Sequence, residues 1–346
     1  MNKFDVVVIG GGPAGAAAAI SCAQSGLEVL VVVGSQSRDR PGESLHPGIE
    51  PLLDRLGVGD RVRMSHFIRH EGYWVEWGKE RHFSLFGSDD DGPWQGYQAW
   101  GSEFDKMLLD EAAAQGVQIM HRCFAETPII EGQRVVGIKT TKGEIRSTWL
   151  LDCSGRNHWL ARKFNLPIQR HSPRLFVQYG YVTGLCPNLD ENPVLVGDET
   201  GWTWTAQVKP KVFQWTRLNF ENFKWDPEWR PDEFLALDPV GTSGGADMTW
   251  RIVKESAGPG YWILGDAACV LDPLSSHGVQ KAIMSGMMAA HCIARIATKG
   301  QQQEELVIQG YKRWQHNWFL HDAKELLTRY RQINPAFSFV KPVLEK

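Results

Sequence analysis

The feature that most constrains this chain is a glycine-rich turn near its start, held between a strand pattern and a helix pattern. Residues 4–10 form a short β-branched apolar run ending in glycine, which predicts a buried parallel strand. A G-x-G-x-x-G turn follows, and an alanine-rich stretch up to Gln24 predicts a helix. Such glycines allow a tight turn, close approach of the backbone to a pyrophosphate, and close packing of helix on strand. The residues predicted to contact a dinucleotide are Gly10, Gly12, Pro13, Ala14 and Gly15.

One part of this pattern is missing at the end of the second apolar strand, residues 27–33. Dinucleotide folds place an acid there to bind the ribose hydroxyls. This sequence has Val33 followed by Gly34, so we expect the adenosine half to be held less firmly. Arg38 or Ser35 are the polar side chains nearby that could replace the acid.

Composition excludes several classes of protein. The chain has 346 residues, enough for one large or two closely packed domains. Its net charge of −3 is not that of a polybasic nucleic-acid binder. The longest apolar stretch, residues 6–20, is broken by glycines and a proline, and no signal-peptide cleavage site follows it. Six cysteines without a C-x-x-C pair predict reduced thiols and no metal site. We therefore expect a cytoplasmic protein that binds neither nucleic acid nor membrane.

Later segments predict a mixed α/β architecture. Residues 129–145 form a strand–turn–strand pattern and 149–152 a further buried strand. Residues 174–219 have the composition of several antiparallel strands, whereas 221–245 is predicted to be a loop with a short helix near 231–236. The helices expected after the first are at 48–56, 103–115 with Ser102 as N-cap, 159–164, 279–297 and 301–332.

Three motifs together resemble the FAD-dependent monooxygenases of the hydroxybenzoate-hydroxylase type. They are Gly10–Gly15, Asp152–Arg156 and Gly265–Ala268, and the match runs from residue 4 to about 297. The resemblance implies a Rossmann-like FAD-binding domain with a β-meander, an antiparallel-sheet substrate domain and a C-terminal helix. The implied segments are 1–70, 101–170 and 256–300 for the FAD-binding domain, 71–100 and 171–255 for the substrate domain, and 301–346 for the C-terminal helical segment.

A narrower resemblance is to the flavin-dependent tryptophan halogenases. It rests on Gly42–Ser44, Gly201–Trp204 and the loop Asp272–Gly278. In that family the loop lies over the isoalloxazine ring, and Asp266 corresponds to the residue that binds the ribityl chain. The further cofactor contacts implied are Ser44, Gly265, Asp266, Pro273, Ser276, Gly278 and Val279. The residues implied for the substrate cavity are His46, Trp202 and Trp204.

Three departures from the halogenase pattern argue against halogenation. Arg69 stands where those enzymes carry a lysine that handles the hypohalous species, and an arginine supplies neither a transferable proton nor a nucleophilic amine. Lys79 lies beyond the strand and is a poor replacement. The motif W-x-W-x-I-P loses its second half after Trp204, and His277 replaces a small hydroxyl residue.

A related group fits better: the flavoproteins that mature cysteine tryptophylquinone-dependent amino-acid oxidases. This resemblance implies hydroxylation of an indole, the tryptophan of a partner protein, through a flavin C4a-hydroperoxide formed from FAD and dioxygen. The sequence has no second G-x-G-x-x-G, so electrons come from docked NAD(P)H or from a separate flavin reductase. A small-molecule aromatic hydroxylase, a halogenase with an altered site and a flavoprotein scaffold without turnover remain alternatives. The oligomeric state is left open, a monomer being one candidate.

The catalytic candidates each have a structural alternative. His277 is the first choice for proton transfer, against a hydrogen-bonded structural histidine. Glu43 either orients a substrate nitrogen or pairs with Arg40, and Arg69 is either a site residue or a surface charge. His66 and the nearby His70 are weaker candidates, and the two tryptophans of Gly201–Trp204 either line the cavity or belong to the sheet core.

Overall fold

The computed structural model describes residues 3–34, 42–78, 80–187, 189, 192–220, 225–338 and 343–345. The helices of these residues are α1 (Pro13–Gln24), α2 (Glu50–Leu56), α3 (Gly59–Arg63), α4 (Gly101–Ala114), α5 (Trp159–Lys163), α6 (Gly278–Lys299) and α7 (Glu304–Ile333). Their strands are β1 (Lys3–Ile9), β2 (Val29–Val33), β3 (Glu43–Leu45), β4 (Ile68–His70), β5 (Gly72–Trp77), β6 (Glu80–Leu85), β7 (Ser88–Asp89), β8 (Gly92–Pro93), β9 (Gly96–Ala99), β10 (Gln118–His121), β11 (Ala125–Glu131), β12 (Arg134–Thr140), β13 (Gly143–Asp152), β14 (Ile168–Arg170), β15 (Phe176–Thr183), β16 (Val194–Asp198), β17 (Gly201–Lys209), β18 (Val212–Asn219), β19 (Asp238–Asp247), β20 (Arg251–Val253), β21 (Ala257–Gly258), β22 (Tyr261–Ile263), β23 (Cys269–Val270) and β24 (Val343–Glu345).

The first sheet confirms the Rossmann-like domain with a β-meander. Strands β10, β2, β1, β13 and β22 lie side by side in parallel. Strands β11, β12 and the start of β13 form the antiparallel meander at one end. Val6, Val7 and Val8 are fully buried, as expected for a parallel strand covered on both faces. The carboxyl ends of β1, β13 and β22 therefore meet at one edge of this sheet.

Helices α1 and α6 pack closely beside this sheet because small residues line their contact. A Cβ atom on Gly286 of α6 would lie 2.5 Å from the carbonyl oxygen of Ala14 and 2.7 Å from the amide nitrogen of Ala18. Only glycine fits at this distance. The contact places the start of α6 near the start of α1.

The second sheet confirms the antiparallel substrate domain. Its seven strands run in the order β19, β15, β18, β17, β16, β5 and β6, and β16 with β5 is the parallel pair. Residues 238–247 form edge strand β19 rather than the predicted loop, because pairing with β15 satisfies a glycine-rich backbone that shows no apolar alternation. The short helix expected near 231–236 is a single 3₁₀ turn, Asp232–Phe234.

Helix α7 connects the two sheets. Near its start, the Tyr311 hydroxyl donates a hydrogen bond to the carbonyl of Ile263 at the end of β22. Near its end, the Trp202 indole donates to the hydroxyl of Tyr330, and the Trp77 indole donates to the carbonyl of Arg329. No helix in the described ranges is long and apolar enough to cross a membrane. The six-segment boundaries themselves stay a prediction.

Candidate functional site

The glycine turn has the shape that a pyrophosphate site requires. Gly10 has φ +102°, and a Cβ atom there would overlap the carbonyl of Cys153; one on Gly15 would overlap the carbonyl of Gly10. Helix α1 starts at Pro13 with Gly12 as N-cap, and no side chain among the described residues caps it. Its first amide groups and the positive end of its dipole are thus left for an anionic ligand.

The turn after β22 lies against this helix end. Gly265 has φ +54°, and a Cβ atom on it would lie 3.0 Å from the Cβ of Ala14. Its amide donates a 3.0 Å hydrogen bond to the hydroxyl of Ser285 on α6. Asp266 follows with an exposed side chain. The structure therefore brings two predicted cofactor motifs together, and a ligand across the end of α1 would meet both.

The loop Asp272–Gly278, here called the flavin loop, is fixed from beneath by a buried carboxyl group. Asp272 accepts hydrogen bonds from the Trp250 indole (2.5 Å) and from the amide of Leu274 (3.1 Å). Burial raises the pKa of Asp272 to about 6. Ser276 has φ +51°, and α6 begins at Gly278 immediately afterwards. The loop thus carries Pro273, Ser276, Gly278 and Val279 at the start of a helix, where they were predicted to contact the cofactor.

His277 lies between the flavin loop and α7. Its Nδ1 is 3.4 Å from Oδ2 of Asp322, whose side chain is only 4% exposed and also pairs with Lys281. Burial alone would raise the pKa of Asp322, but the hydrogen bond from His277 and the charge of Lys281 lower it. Because a carboxylate can only accept, Nδ1 of His277 donates and Nε2 is left to take up a proton. Nothing in the sequence pattern indicated Asp322, which lies 45 residues further along the chain.

Aromatic rings continue from His277 to the substrate sheet. The ring of His46 lies 6.0 Å from that of His277 and 5.0 Å from that of Phe86. Tyr73 follows at 6.0 Å from Phe86, and Trp204 at 5.5 Å from Tyr73. We call His46, Phe86, Tyr73 and Trp204 the aromatic strip. Burial, together with the nearby His277, lowers the pKa of His46, and the amide of Gly48 donates to its Nδ1.

A hydrogen-bond chain through the small sheet β3–β9–β4 supports this region. Ser44 donates to Oε1 of Gln98 (2.8 Å), whose amide lies 3.0 Å from Nε2 of His70. Nδ1 of His70 lies 2.8 Å from the carbonyl of Gly72. The amide orientation makes Nε2 the acceptor and Nδ1 the donor, so His70 is neutral. Burial lowers its pKa to about 4, which makes it a positioning group rather than a proton carrier.

Arg69 and Glu43 lie on the other face of this small sheet. Arg69 is 3.0 Å from Glu50 and 4.0 Å from the centre of the Tyr97 ring, and Tyr97 also donates to Glu50. Arg69 therefore holds a structural ion pair, and no described contact joins it to His277. Glu43 is paired with Ala99 in the sheet. Because side chains alternate along a strand, Glu43 lies on the opposite face from Ser44, which belongs to the hydrogen-bond chain. The catalytic roles of both stay predictions.

The two predicted cavity tryptophans differ in position. Trp202 is 1% exposed and is bonded to Tyr330 within the core, whereas Trp204 is half-buried in the aromatic strip. Alternation along β17 still places both on one face. Ser35, Arg38, Arg40 and Lys79, which the sequence analysis considered, lie outside the described residues.

These features define a class of protein. A parallel sheet, a glycine turn at an uncapped helix end, an Asp266 turn against it and a fixed loop at the start of α6 make up a dinucleotide-binding site. Residues 3–234 match the family described as FAD binding domain, and the chain belongs to that family. Its residues fit FAD, because the tight glycine turn leads into a helix end whose first amide groups have no side-chain cap among the described residues and can take a pyrophosphate.

Relatives place it within the FAD-dependent monooxygenase and halogenase-like superfamily. It is 29% identical over 363 positions to a tryptophan 2-halogenase from Chondromyces crocatus, covering 93% of this chain and 67% of the relative. It is 27% identical to a 1H-pyrrole-2-carbonyl-[peptidyl-carrier protein] brominase from Pseudoalteromonas luteoviolacea (strain 2ta16), covering 84% and 77%. The superfamily resemblance drawn from the sequence is thereby confirmed, and the chain is a flavin-dependent oxidoreductase.

Two solved structures share the fold. The flavin-dependent brominase Bmp2 superposes with a TM-score of 0.83 at 24% identity, covering 96% of this chain and 88% of Bmp2. QhpG, described as a peptidyl tryptophan dihydroxylase essential for tryptophylquinone cofactor biogenesis, superposes with a TM-score of 0.76 at 19% identity, covering 96% and 76%. Both likenesses concern the fold alone.

Proposed function

We propose that this flavoprotein hydroxylates an indole, and that the indole is a tryptophan side chain of a partner protein in cysteine tryptophylquinone biogenesis. FAD, once reduced by docked NAD(P)H or a separate flavin reductase, supplies oxygen from dioxygen in an electrophilic form. The chain's own residues must then bind the ring, exclude water and accept the proton that the ring loses.

The pair formed by His277 and Asp322, next to the aromatic strip, is the observation that carries this proposal. Asp322 fixes the ring of His277 through Nδ1, so Nε2 is the free base. His46 lies beside it with a lowered pKa and is therefore a neutral neighbour near pH 7. An indole stacked against the aromatic strip would lie within reach of this base, as hydroxylation of an aromatic ring requires.

The position of Arg69 supports hydroxylation over halogenation. Its guanidinium is engaged with Glu50 and Tyr97 and carries no amine. Lys281 is the lysine beside His277, and its ammonium is paired with buried Asp322. Neither group is available to take up a hypohalous species.

Mass spectrometry of a coexpressed partner tests the proposal. We would produce the chain with the precursor subunit of a cysteine tryptophylquinone enzyme from the same genome, supplying NADH and a flavin reductase. A gain of one or two oxygen atoms on a single tryptophan is expected, with oxygen uptake that depends on the precursor. An unmodified precursor without oxygen uptake would contradict the proposal and favour a scaffold without turnover.

A pair of histidine variants, one in the flavin loop and one further along α6, assigns the base. His277→Gln should lower the product yield by about 10²–10⁴-fold, the usual contribution of a positioned base. His291→Gln, an exposed position on α6, should leave it unchanged. The yellow flavin spectrum should persist in both, since neither removes the glycine turn.

Halogenation is the second candidate function, because two of the relatives are described as a tryptophan halogenase and a pyrrole brominase. The same reaction with free tryptophan and either chloride or bromide would show a halogenated product if this candidate holds. Hydroxylated product in the presence of halide would reject it.

NADH consumption without the reductase would identify NAD(P)H as the direct electron donor.

A further inference from the structure

A second cavity lies behind the flavin loop, where α6 and α7 diverge. It is a cleft that is partly open to solvent. Its walls are mostly apolar and include Leu271, Trp314, Trp318 and Phe319. Two of these residues are tryptophans from successive turns of α7, and Trp318 is 37% exposed at the opening.

One polar atom in this cavity has no partner. Gln315 is 4% exposed and lines the cavity, and its Oε1 accepts no hydrogen bond from any described residue. A buried acceptor left unpaired has lost its hydrogen bond to water without a replacement, so native proteins rarely keep one without a ligand or water. The charged residues that line the cavity are Lys281, which is paired with Asp322, and the exposed Asp266.

The cavity is separate from the pyrophosphate end of the FAD site. It shares Gly265, Asp266 and Gly278 with the predicted cofactor contacts, but its other walls come from α6 and α7. Neither the glycine turn at Gly10–Gly15 nor Ser44 lines it. Residues of α6 and α7 thus form most of its lining.

We propose that this cavity binds a small, neutral, planar aromatic molecule that carries an N–H donor. The aromatic walls select a flat ring, and the unpaired Oε1 of Gln315 selects a donor over an acceptor. An anionic ligand is disfavoured because an amide oxygen faces it and the nearby lysine is already neutralised. This binding site does not depend on the proposed hydroxylation.

Indole and benzofuran are the matched probes, since benzofuran replaces only the ring N–H by oxygen. Calorimetric titration of the protein saturated with FAD should show indole binding about tenfold more tightly than benzofuran. Gln315→Met should lower the affinity for indole by about tenfold and spare that for benzofuran. Gln309→Met, an exposed glutamine on the same helix bonded to Glu305, is the control and should change neither.

Three outcomes would overturn the proposal. Binding of indole that Gln315→Met leaves unchanged would place it elsewhere, including at the aromatic strip. Release of FAD by indole would assign the cavity to the cofactor itself. Failure of both probes to bind would mean that water alone pairs with Gln315. None of these results depends on whether the protein hydroxylates tryptophan, so the two proposals fail separately.

Discussion

Asp272 is a carboxyl group buried under the flavin loop, and its environment makes the stability of the protein depend on pH. Burial raises its pKa from 3.8 to about 6. Between these values the folded protein keeps a proton that the unfolded chain has released, so stability should fall as the pH rises through this window. Urea unfolding of the wild type against Asp272→Asn, at several pH values from about 4 to 7, measures this difference. The variant is less stable throughout, because an amide nitrogen then faces either the Trp250 N–H or the Leu274 N–H, but the difference in unfolding free energy between the two proteins should narrow with rising pH. A constant difference would contradict the assignment.

The pKa of Asp322 is shifted in the opposite direction to that of Asp272. The hydrogen bond from His277 and the charge of Lys281 lower its pKa despite burial. Its contribution to stability is therefore present above the ordinary carboxyl pKa, about 4, and is lost as the pH falls through the lower folded value. Asp322→Asn should be destabilised at pH 7 and approach the wild type in acid. The same unfolding series checks it, and a difference that grows in acid would refute the pairing.

At this scale the sequence indicates residues whose role depends on local chain geometry. The glycine turn is predictable because strand, turn and helix are contiguous. The partner of His277 is not, since Asp322 reaches it only when α7 packs on α6. The hydrogen-bond chain from Ser44 through Gln98 to His70 likewise joins three separate strands, which no local pattern reports.

At the scale of elements, the contact between α1 and α6 depends on Gly286. Gly286→Ala should destabilise the protein by about 1–3 kcal/mol, because its Cβ would press on the backbone of Ala14 and Ala18. Gly310→Ala is the matched control on α7, since no described atom lies within 4 Å of the added Cβ. There alanine should stabilise by up to about 1 kcal/mol through helix propensity. Chemical unfolding of both variants compares them, and equal effects would show that packing is not the cause.

Element boundaries show which signals compete. Ser102 is a good N-cap by residue type, yet α4 begins at Gly101 with Trp100 as its N-cap. The sequence pattern does not predict edge strand β19, because its residues lack the alternation of apolar and polar side chains that marks a half-buried strand. Its pairing with β15 decides its structure, and tertiary context of that kind overrides composition.

At the scale of the whole molecule, one buried hydrogen bond couples the substrate sheet to α7. Tyr330→Phe leaves the buried indole N–H of Trp202 unpaired, also removes the hydrogen bond from Tyr330 to Asp272, and should cost at least about 1–3 kcal/mol. Trp202→Phe in the same background removes that donor, so the double variant should lose less than the sum of the single variants. Unfolding free energies of the four proteins give the coupling. Strict additivity would show that the bond contributes nothing.

The overall architecture was predictable because both sheets have distinct signals: apolar β-branched runs around a glycine turn, and alternating strands rich in valine, tyrosine and threonine. The helix at 301–332 was expected as well, but its role was not. An amphipathic pattern indicates that a helix has a buried face. It does not predict that this face contacts Ile263 at one end and Trp202 at the other.

Helix α7 has 30 residues and is therefore about 45 Å long. Successive turns of it contact the end of β22, line the second cavity, hold His277 and close the substrate sheet. All of these environments are encoded by one uninterrupted stretch of chain that is distant from the glycine turn in sequence. A chimera that exchanges Glu304–Ile333 for the equivalent helix of a relative would change the lining of the second cavity and the partner of His277 together, while leaving the glycine turn as it is.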